Sequence, residues 1–344
     1  MMRWLWTVLV VIALGLGATL AGYLWLERYL ETPLQVAGEE EIIEVSSGQS
    51  LSGLAAGLSR RGLLEHPRVF SRWAHWQGAG RRIQAGEYRL LAGITPRQLL
   101  TMLVEGRVVM HQLTVVEGWR FEDMLAALRR HEAIRLSELG VEEIMAALGE
   151  PDLHPEGLFF PDTYRFARGT SELEILRHAR ETMRRHLQET WEQRSPDLPF
   201  NEPYQALVMA SIIEKETGLD AERERVSGVF ARRLRIGMRL QTDPTVIYGL
   251  GADFQDRLRR ADLQRDTPYN TYTRHGLPPT PIALPGLRSL QAAVNPADGD
   301  ELFFVATGKG DGSHNFSVTL EEHNSAVALY LRRLRERRAE AEGS

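Results

Sequence analysis

Two glutamates separated by one residue, Glu214 and Glu216, stand near the end of the stretch Tyr204–Gly218, YQALVMASIIEKETG. The stretch reads as a helix of strong formers stopped at Gly218, since glycine takes up the turn that ends many helices. At about 100° per residue its apolar arc runs through Ile212, Met209, Ile213, Ala206 and Ala210. Glu216 falls inside that arc, between Ile212 and Met209. Glu214 lies at its edge, beside Leu207 and Ser211. An acid buried one turn from a helix C-terminus is disfavoured as the anion twice, by desolvation and by the negative end of the helix dipole. Such a group holds a proton near neutral pH and can act as a general acid. The competing reading is a surface glutamate fraying in the last turn.

A segment downstream supplies what an acid of this kind would work on. Tyr269–Gly286, YNTYTRHGLPPTPIALPG, is too rich in proline and glycine for regular structure and reads as an ordered loop. Its tyrosines, asparagine and threonines suit a sugar: rings take the apolar face of a pyranose, while amides and hydroxyls take its hydroxyl groups. Tyr269, Asn270, Thr271 and Tyr272, together with Asp243 and Tyr248, form the expected substrate-binding set. Asp243, at an Asp-Pro step in the strand-like run Arg239–Gly249, is the best candidate for a second acid, and a turn role suits it better. His314 and His323 lack a third ligand at metal spacing, so no metal is expected.

The elements that must position these groups begin at the N-terminus. Trp4–Leu26 is 23 residues without a charge, long enough to span a bilayer, with tryptophans at 4, 6 and 25 near its ends. Arg3 precedes it, so the positive-inside rule keeps residues 1–3 in the cytoplasm and sends the rest outward. A cleaved signal peptide with a cut after Ala21 is the alternative, although the apolar run is long for one. Residues 27–40 read as a polar linker, and a chain starting near residue 40 is expected to fold without it. The order strand (Glu41–Val45), helix (Leu51–Leu58), helix (Pro67–Trp76), strand (Gly86–Leu91) follows. This β-α-α-β order resembles the LysM module, a small fold that binds amino-sugar polymers, and residues 41–108 are assigned to it. Val115, Gly118, Phe121, Met124, Leu125 and Leu128 repeat its first strand-turn-helix pattern. Residues 109–335 then form a mixed α/β domain and 336–344 a polar tail, giving an α+β protein overall.

Composition narrows the field. There are no cysteines, hence no disulfides or thiolate metal sites, and the net charge of −5 makes no case for nucleic acid. Glu156–Phe166, EGLFFPDTYRF, carries four aromatic residues and reads as core. Ser171–Glu192 reads as a long helix with a solvated charged face.

From about residue 40 to 335 the chain resembles the YceG-like family of endolytic murein transglycosylases. The resemblance rests on Glu117-Gly118, Glu156–Tyr164, ASIIEKET (Ala210–Thr217) and RLRIGMRLQTDPTVIYG (Arg233–Gly249). It continues through YNTY (Tyr269–Tyr272), GLPP (Gly276–Pro279), Pro285-Gly286 and His314 with Phe316. It implies a single-pass inner-membrane protein with a LysM-like subdomain and an extracytoplasmic domain carrying one essential glutamate. That glutamate maps to the second of ASIIEKET, Glu216, with Glu214 as the fallback. The implied reaction cleaves the β-1,4 bond between N-acetylmuramic acid and N-acetylglucosamine in nascent glycan strands without a cofactor. Peptidoglycan synthases are the implied protein partners. A catalytically silent glycan-binding scaffold and a muramidase hydrolase are the alternatives.

Overall fold

The computed structural model describes residues 2–342. It is a mixed α/β chain with an N-terminal apolar helix and three two-stranded sheets. The helix α1 (Met2–Glu31) leads to β1 (Glu40–Val45), α2 (Leu51–Arg60), α3 (Pro67–Trp76), β2 (Gly86–Leu91) and α4 (Pro96–Glu105). Then come β3 (Met110–Thr114), α5 (Phe121–Arg130), α6 (Val141–Ala147), β4 (Thr163–Ala167) and α7 (Glu172–Glu192). Next are α8 (Pro203–Glu216), α9 (Asp220–Arg235), α10 (Asp243–Leu250), α11 (Arg260–Gln264) and α12 (Leu287–Val294). The chain closes with β5 (Phe303–Ala306), β6 (His314–Ser317) and α13 (Leu320–Glu342). The sheets are β1–β2, β3–β4 and β5–β6.

The chain divides into two compact units. One runs to residue 111 and takes in residues 165–170; the other holds residues 112–164 and those from 171 on.

In the first unit the expected β-α-α-β order is present. β1 and β2 pair antiparallel from Glu40↔Leu91 to Val45↔Gly86, and alternation turns Ile43, Val45, Tyr88 and Leu90 inward. The buried face of α2 is Leu51, Leu54, Ala55 and Leu58, and its N-cap Ser50 accepts from Gly53 N–H at 3.1 Å. α4 starts on a capping box between Thr95 and Gln98 and ends at Gly106 in the left-handed region.

The apolar part of α1 is exposed on every side, and by length and composition it is a candidate membrane anchor. Residues 27–40 are not a free linker. α1 continues to Glu31, and Tyr29, Leu30 and Leu34 join the core of the first unit. Arg97 on α4 clamps that end through Glu27 (2.7 Å) and Glu31 (2.6 Å). The polar letters concealed this because the core-facing positions are single apolar residues between charges. A fragment starting at residue 27 should therefore keep its stability. One starting at residue 41 should lose about 1.5–3 kcal/mol for each of Leu30 and Leu34, read as a lower urea midpoint.

The second unit is built around α8. Residues Ala206–Ile213 are all buried, Ser211 included, so the middle of this helix has no solvent side and only its ends reach the surface, as at Lys215. α7, α9, α10 and α12 pack round it. The aromatic run settles as core, with Phe159, Phe160, Tyr164 and Phe166 all buried. Two expectations fail here. Arg239–Gly249 is not strand-like: Thr242-Asp243-Pro244 starts α10, with proline in its first turn, where the missing N–H costs nothing. The charged helix α7 is not merely solvated on its polar side. Glu172 is fully buried and accepts from Arg129 and Ser137. Residues 336–342 of the expected polar tail are helical, as the end of α13. β5 and β6 pair antiparallel from Phe303↔Ser317 to Ala306↔His314, and β5 is half-buried.

Candidate active site

Glu216 is the last residue of α8. The helix ends because Thr217 turns extended (φ −143°, ψ 135°), its N–H still bonded to Ile213 O. Gly218 is thus not the left-handed stop that its sequence position suggests.

The hydroxyl of Thr242 donates to Glu216 Oε1. Thr242 is fixed in turn: its N–H donates to Thr271 Oγ1 at 3.0 Å, and its carbonyl accepts from Thr245 Oγ1 at 2.7 Å. The residue before it, Gln241, sits at φ 51°, a strained conformation for a side chain with a Cβ. Burial pushes the Glu216 carboxyl up to about 7; the Thr242 bond lowers it, the charge of Asp243 raises it, and Arg233 lowers it.

Glu216 opens into a cleft of about 470 Å³ shared with Arg233, Asp243, Tyr272, His314 and His323. Tyr272 donates its hydroxyl to Asp243 Oδ1 at 2.6 Å. Arg233 is held by the carbonyls of Leu302 (2.6 Å) and Leu240 (2.7 Å), with its guanidinium 5.2 Å from the Phe303 ring centroid. A proton donor of raised pKa, a fixed cation and a phenol-bound carboxylate share one recess. That set can protonate a leaving oxygen and steady the charge left behind.

Glu214 does something else. Its side chain is 6% exposed; Oε2 accepts from Gly286 N–H at 2.9 Å, and Oε1 lies 3.4 Å from Arg223 Nη1. Arg223 also donates to Ser289 Oγ and Thr217 O, so Glu214 ties α8 to α9 and to the start of α12. The Glu117 carboxylate packs closely over Gly286, where a Cβ would push it aside. Burial, and then the charge of Glu214, raise the pKa of Glu117.

A family model described as the YceG-like family matches residues 43–329. The chain belongs to the YceG-like family. Its relatives include an endolytic murein transglycosylase of Bacillus subtilis strain 168, 33% identical over 308 residues that cover 84% of each chain. Proteins of the same name from Streptococcus pneumoniae strains D39 and R6 are 25% identical across 90% of this chain, which spans 62% of theirs. The crystal structure of a YceG-like protein of Listeria monocytogenes superposes with a TM-score of 0.52 at 28% identity. The match covers 84% of this chain and 99% of that one.

Within this family member the expected substrate set does not stay together. Asp243 and Tyr272 line the Glu216 cleft. Tyr248 and Tyr269 line a different cleft of about 800 Å³, beside Arg120 and Glu156. There the two rings meet edge to face at 4.8 Å, and the Arg120 guanidinium lies 5.0 Å from the Tyr248 centroid. Glu156, 3% exposed, is pushed up to about 7 by burial, against hydrogen bonds from Phe121 N–H and Tyr248 that lower it.

Asn270 and Thr271 face neither cleft. Thr271 is spent on Thr242 and Thr245. Asn270 is fully buried. Its amide donates to the carbonyls of Arg265 (2.7 Å), Leu263 (3.1 Å) and Asp262 (3.4 Å), and its Oδ1 accepts from Tyr272 N–H at 2.8 Å. Asn270 therefore builds the loop that carries Tyr272 and is not part of a groove wall. Asn270→Ala should lower unfolding free energy by about 2 kcal/mol or more by stranding those groups, and a denaturant melt checks it.

Thr242, Gln241 and Arg233, which stand at the Glu216 cleft, lie within the RLRIGMRLQTDPTVIYG motif but are not singled out by it as site residues. They meet Glu216 only through the packing of α9 and α10 on α8, and no spacing in the sequence encodes that.

Proposed function

We propose that the protein is an endolytic murein transglycosylase with Glu216 as its general acid and base. One observation carries the reading: the ASIIEKET glutamate ends a core helix with its carboxyl enclosed, hydrogen-bonded by Thr242 and raised to about 7, facing an open cleft. Near neutral pH such a group exists in both protonation states, as a residue that first gives and then takes a proton requires. Glu216 protonates the oxygen leaving the muramic C1. The muramic C6 hydroxyl then attacks C1 from within the same sugar, leaving a 1,6-anhydro end. An intramolecular nucleophile needs no activated water, so one carboxyl suffices where most glycosidases use two.

Tyr272 and Asp243 hold sugar hydroxyls beside the acid, while Tyr248 and Tyr269 take the strand further along. Residues 109–335 form the catalytic domain, and residues 41–108 act as a LysM-like unit. α1 holds the protein in the inner membrane with its N-terminus in the cytoplasm, so the cleft meets nascent strands outside, near the peptidoglycan synthases that make them. Termination of strand growth is the consequence.

One feature favours a second reading, a muramidase: Asp243 shares the cleft and could activate water. A digest of purified sacculi separates the readings. Anhydro-muropeptides support the transglycosylase, reducing ends the muramidase, and no release a silent binding scaffold.

A further inference from the structure

Of the two clefts in the second unit, the larger is only half explained by a glycan strand. Tyr248 and Tyr269 give it a surface suited to a sugar ring. The rest of its lining has other chemistry. Val141 at the start of α6 and Leu153 after it are 38% and 41% exposed, and Met145 is buried. Arg120 adds an unpaired charge. Its guanidinium lies 5.0 Å from the Tyr248 ring centroid, and among the described residues it makes no hydrogen bond or ion pair. Glu156 is already engaged, since its Oε1 accepts from Phe121 N–H at 3.0 Å. Glu122, Glu142 and Asp152, all exposed, complete the lining with negative charge. A neutral sugar uses neither a free guanidinium nor a set of carboxylates. A short chain with small apolar groups, a carboxylate and an ammonium uses all of them. The peptide stem on the muramic lactyl group is such a chain, with alanine methyls, carboxylates and the amine of a diamino acid.

α10 joins this cleft to the one at Glu216. Asp243, its first residue, lines the Glu216 cleft, and Tyr248 lines the larger one. Five positions at about 1.5 Å rise separate them by about 7–8 Å along the helix. An extended stem covers about 3.5 Å per residue, so about two or three residues bridge that distance. We propose that the larger cleft binds the peptide stem of the muramic sugar, with Arg120 holding a stem carboxylate and Val141 and Leu153 taking the alanine side chains. The proposal deepens the transglycosylase reading and rests on it for the glycan strand as ligand. Tyr248 and Tyr269 keep their sugar, and the stem leaves the strand toward Arg120. Only every second sugar carries a stem, so a stem seated there sets the register of the strand at Glu216. The cut then falls at muramic C1 and not at glucosamine C1.

The test separates binding from cutting. Full-length protein in detergent, carrying Glu216→Gln to stop turnover, is titrated with uncrosslinked glycan strands that bear tetrapeptide stems. The same strands stripped of their stems by an amidase are the second ligand. Stem-bearing strands should bind about tenfold more tightly, the scale of one charge-assisted hydrogen-bonded contact. Adding Arg120→Ala, or Leu153→Asp at the exposed apolar surface, should reduce that preference to about twofold or less without lowering the melting temperature. Equal affinity for the two strands before either change, or a preference that survives Arg120→Ala, would overturn the proposal. So would tighter binding of stripped strands that is lost in Arg120→Ala, which places the bare lactyl carboxylate at Arg120 instead. The ends released by wild type are read alongside. Anhydro ends without a stem preference would overturn the proposal and leave the reading standing. Reducing ends with the preference intact would overturn the transglycosylase reading and support the stem site.

Discussion

Glu216→Gln should lower the release of anhydro ends by about 10²-fold or more while the protein stays folded, because the amide keeps the shape and loses the proton. The two pH responses separate chemistry from stability. As a general acid Glu216 works in its protonated form, so wild-type activity should fall as pH rises through about 7. For stability, the folded carboxyl keeps its proton up to about 7, whereas the unfolded one releases it near the ordinary glutamate value of 4.5. The folded state therefore binds the extra proton between those values, and wild-type stability declines as pH climbs through that window. Glu216→Gln removes the decline. Its melting temperature should match wild type at about pH 4 and exceed it at about pH 8. A variant less stable than wild type at the higher pH would mean that the carboxylate is held by partners that favour its charge.

Glu214→Ala should have the opposite profile, destabilising first and affecting catalysis only through the fold. Removing it leaves Arg223, at 7% side-chain exposure, without its buried counter-charge and strands Gly286 N–H. Loss of one partner from a buried pair costs about 3 kcal/mol or more, so the urea midpoint should drop sharply. Asp220 at 3.0 Å keeps part of the compensation, although that residue is itself mostly exposed. A Glu214→Ala protein with a wild-type melt and no activity would exchange the roles of the two glutamates.

The helical-wheel reading reached Glu216 for a reason only half right. It treated α8 as amphipathic, but the middle of the helix, Ala206–Ile213, is buried on every side, so an apolar arc could not by itself distinguish an inward glutamate from an outward one. What separates the two acids is what lies beyond the helix. Glu214 meets Arg223 and a backbone N–H, while Glu216 meets Thr242 and an open cleft. Local pattern was enough for the β-α-α-β order and the irregular run before α12, because proline, glycine and alternation act over a few residues. It failed at Arg239–Gly249, where β-branched and aromatic residues look strand-like and an N-terminal Asp-Pro step starts a helix. It failed again at Asn270, whose polarity suggests a ligand. Only its surroundings show that four backbone groups consume its hydrogen-bonding capacity.

The central claim is cleavage by a buried proton donor with the sugar's own hydroxyl, and not water, as nucleophile. Digesting glycan strands in water enriched in heavy oxygen and weighing the new muramic ends tests it directly. The account predicts 1,6-anhydro ends carrying no heavy oxygen, formed by wild type and lost in Glu216→Gln. Reducing ends that carry the label at C1 would contradict it.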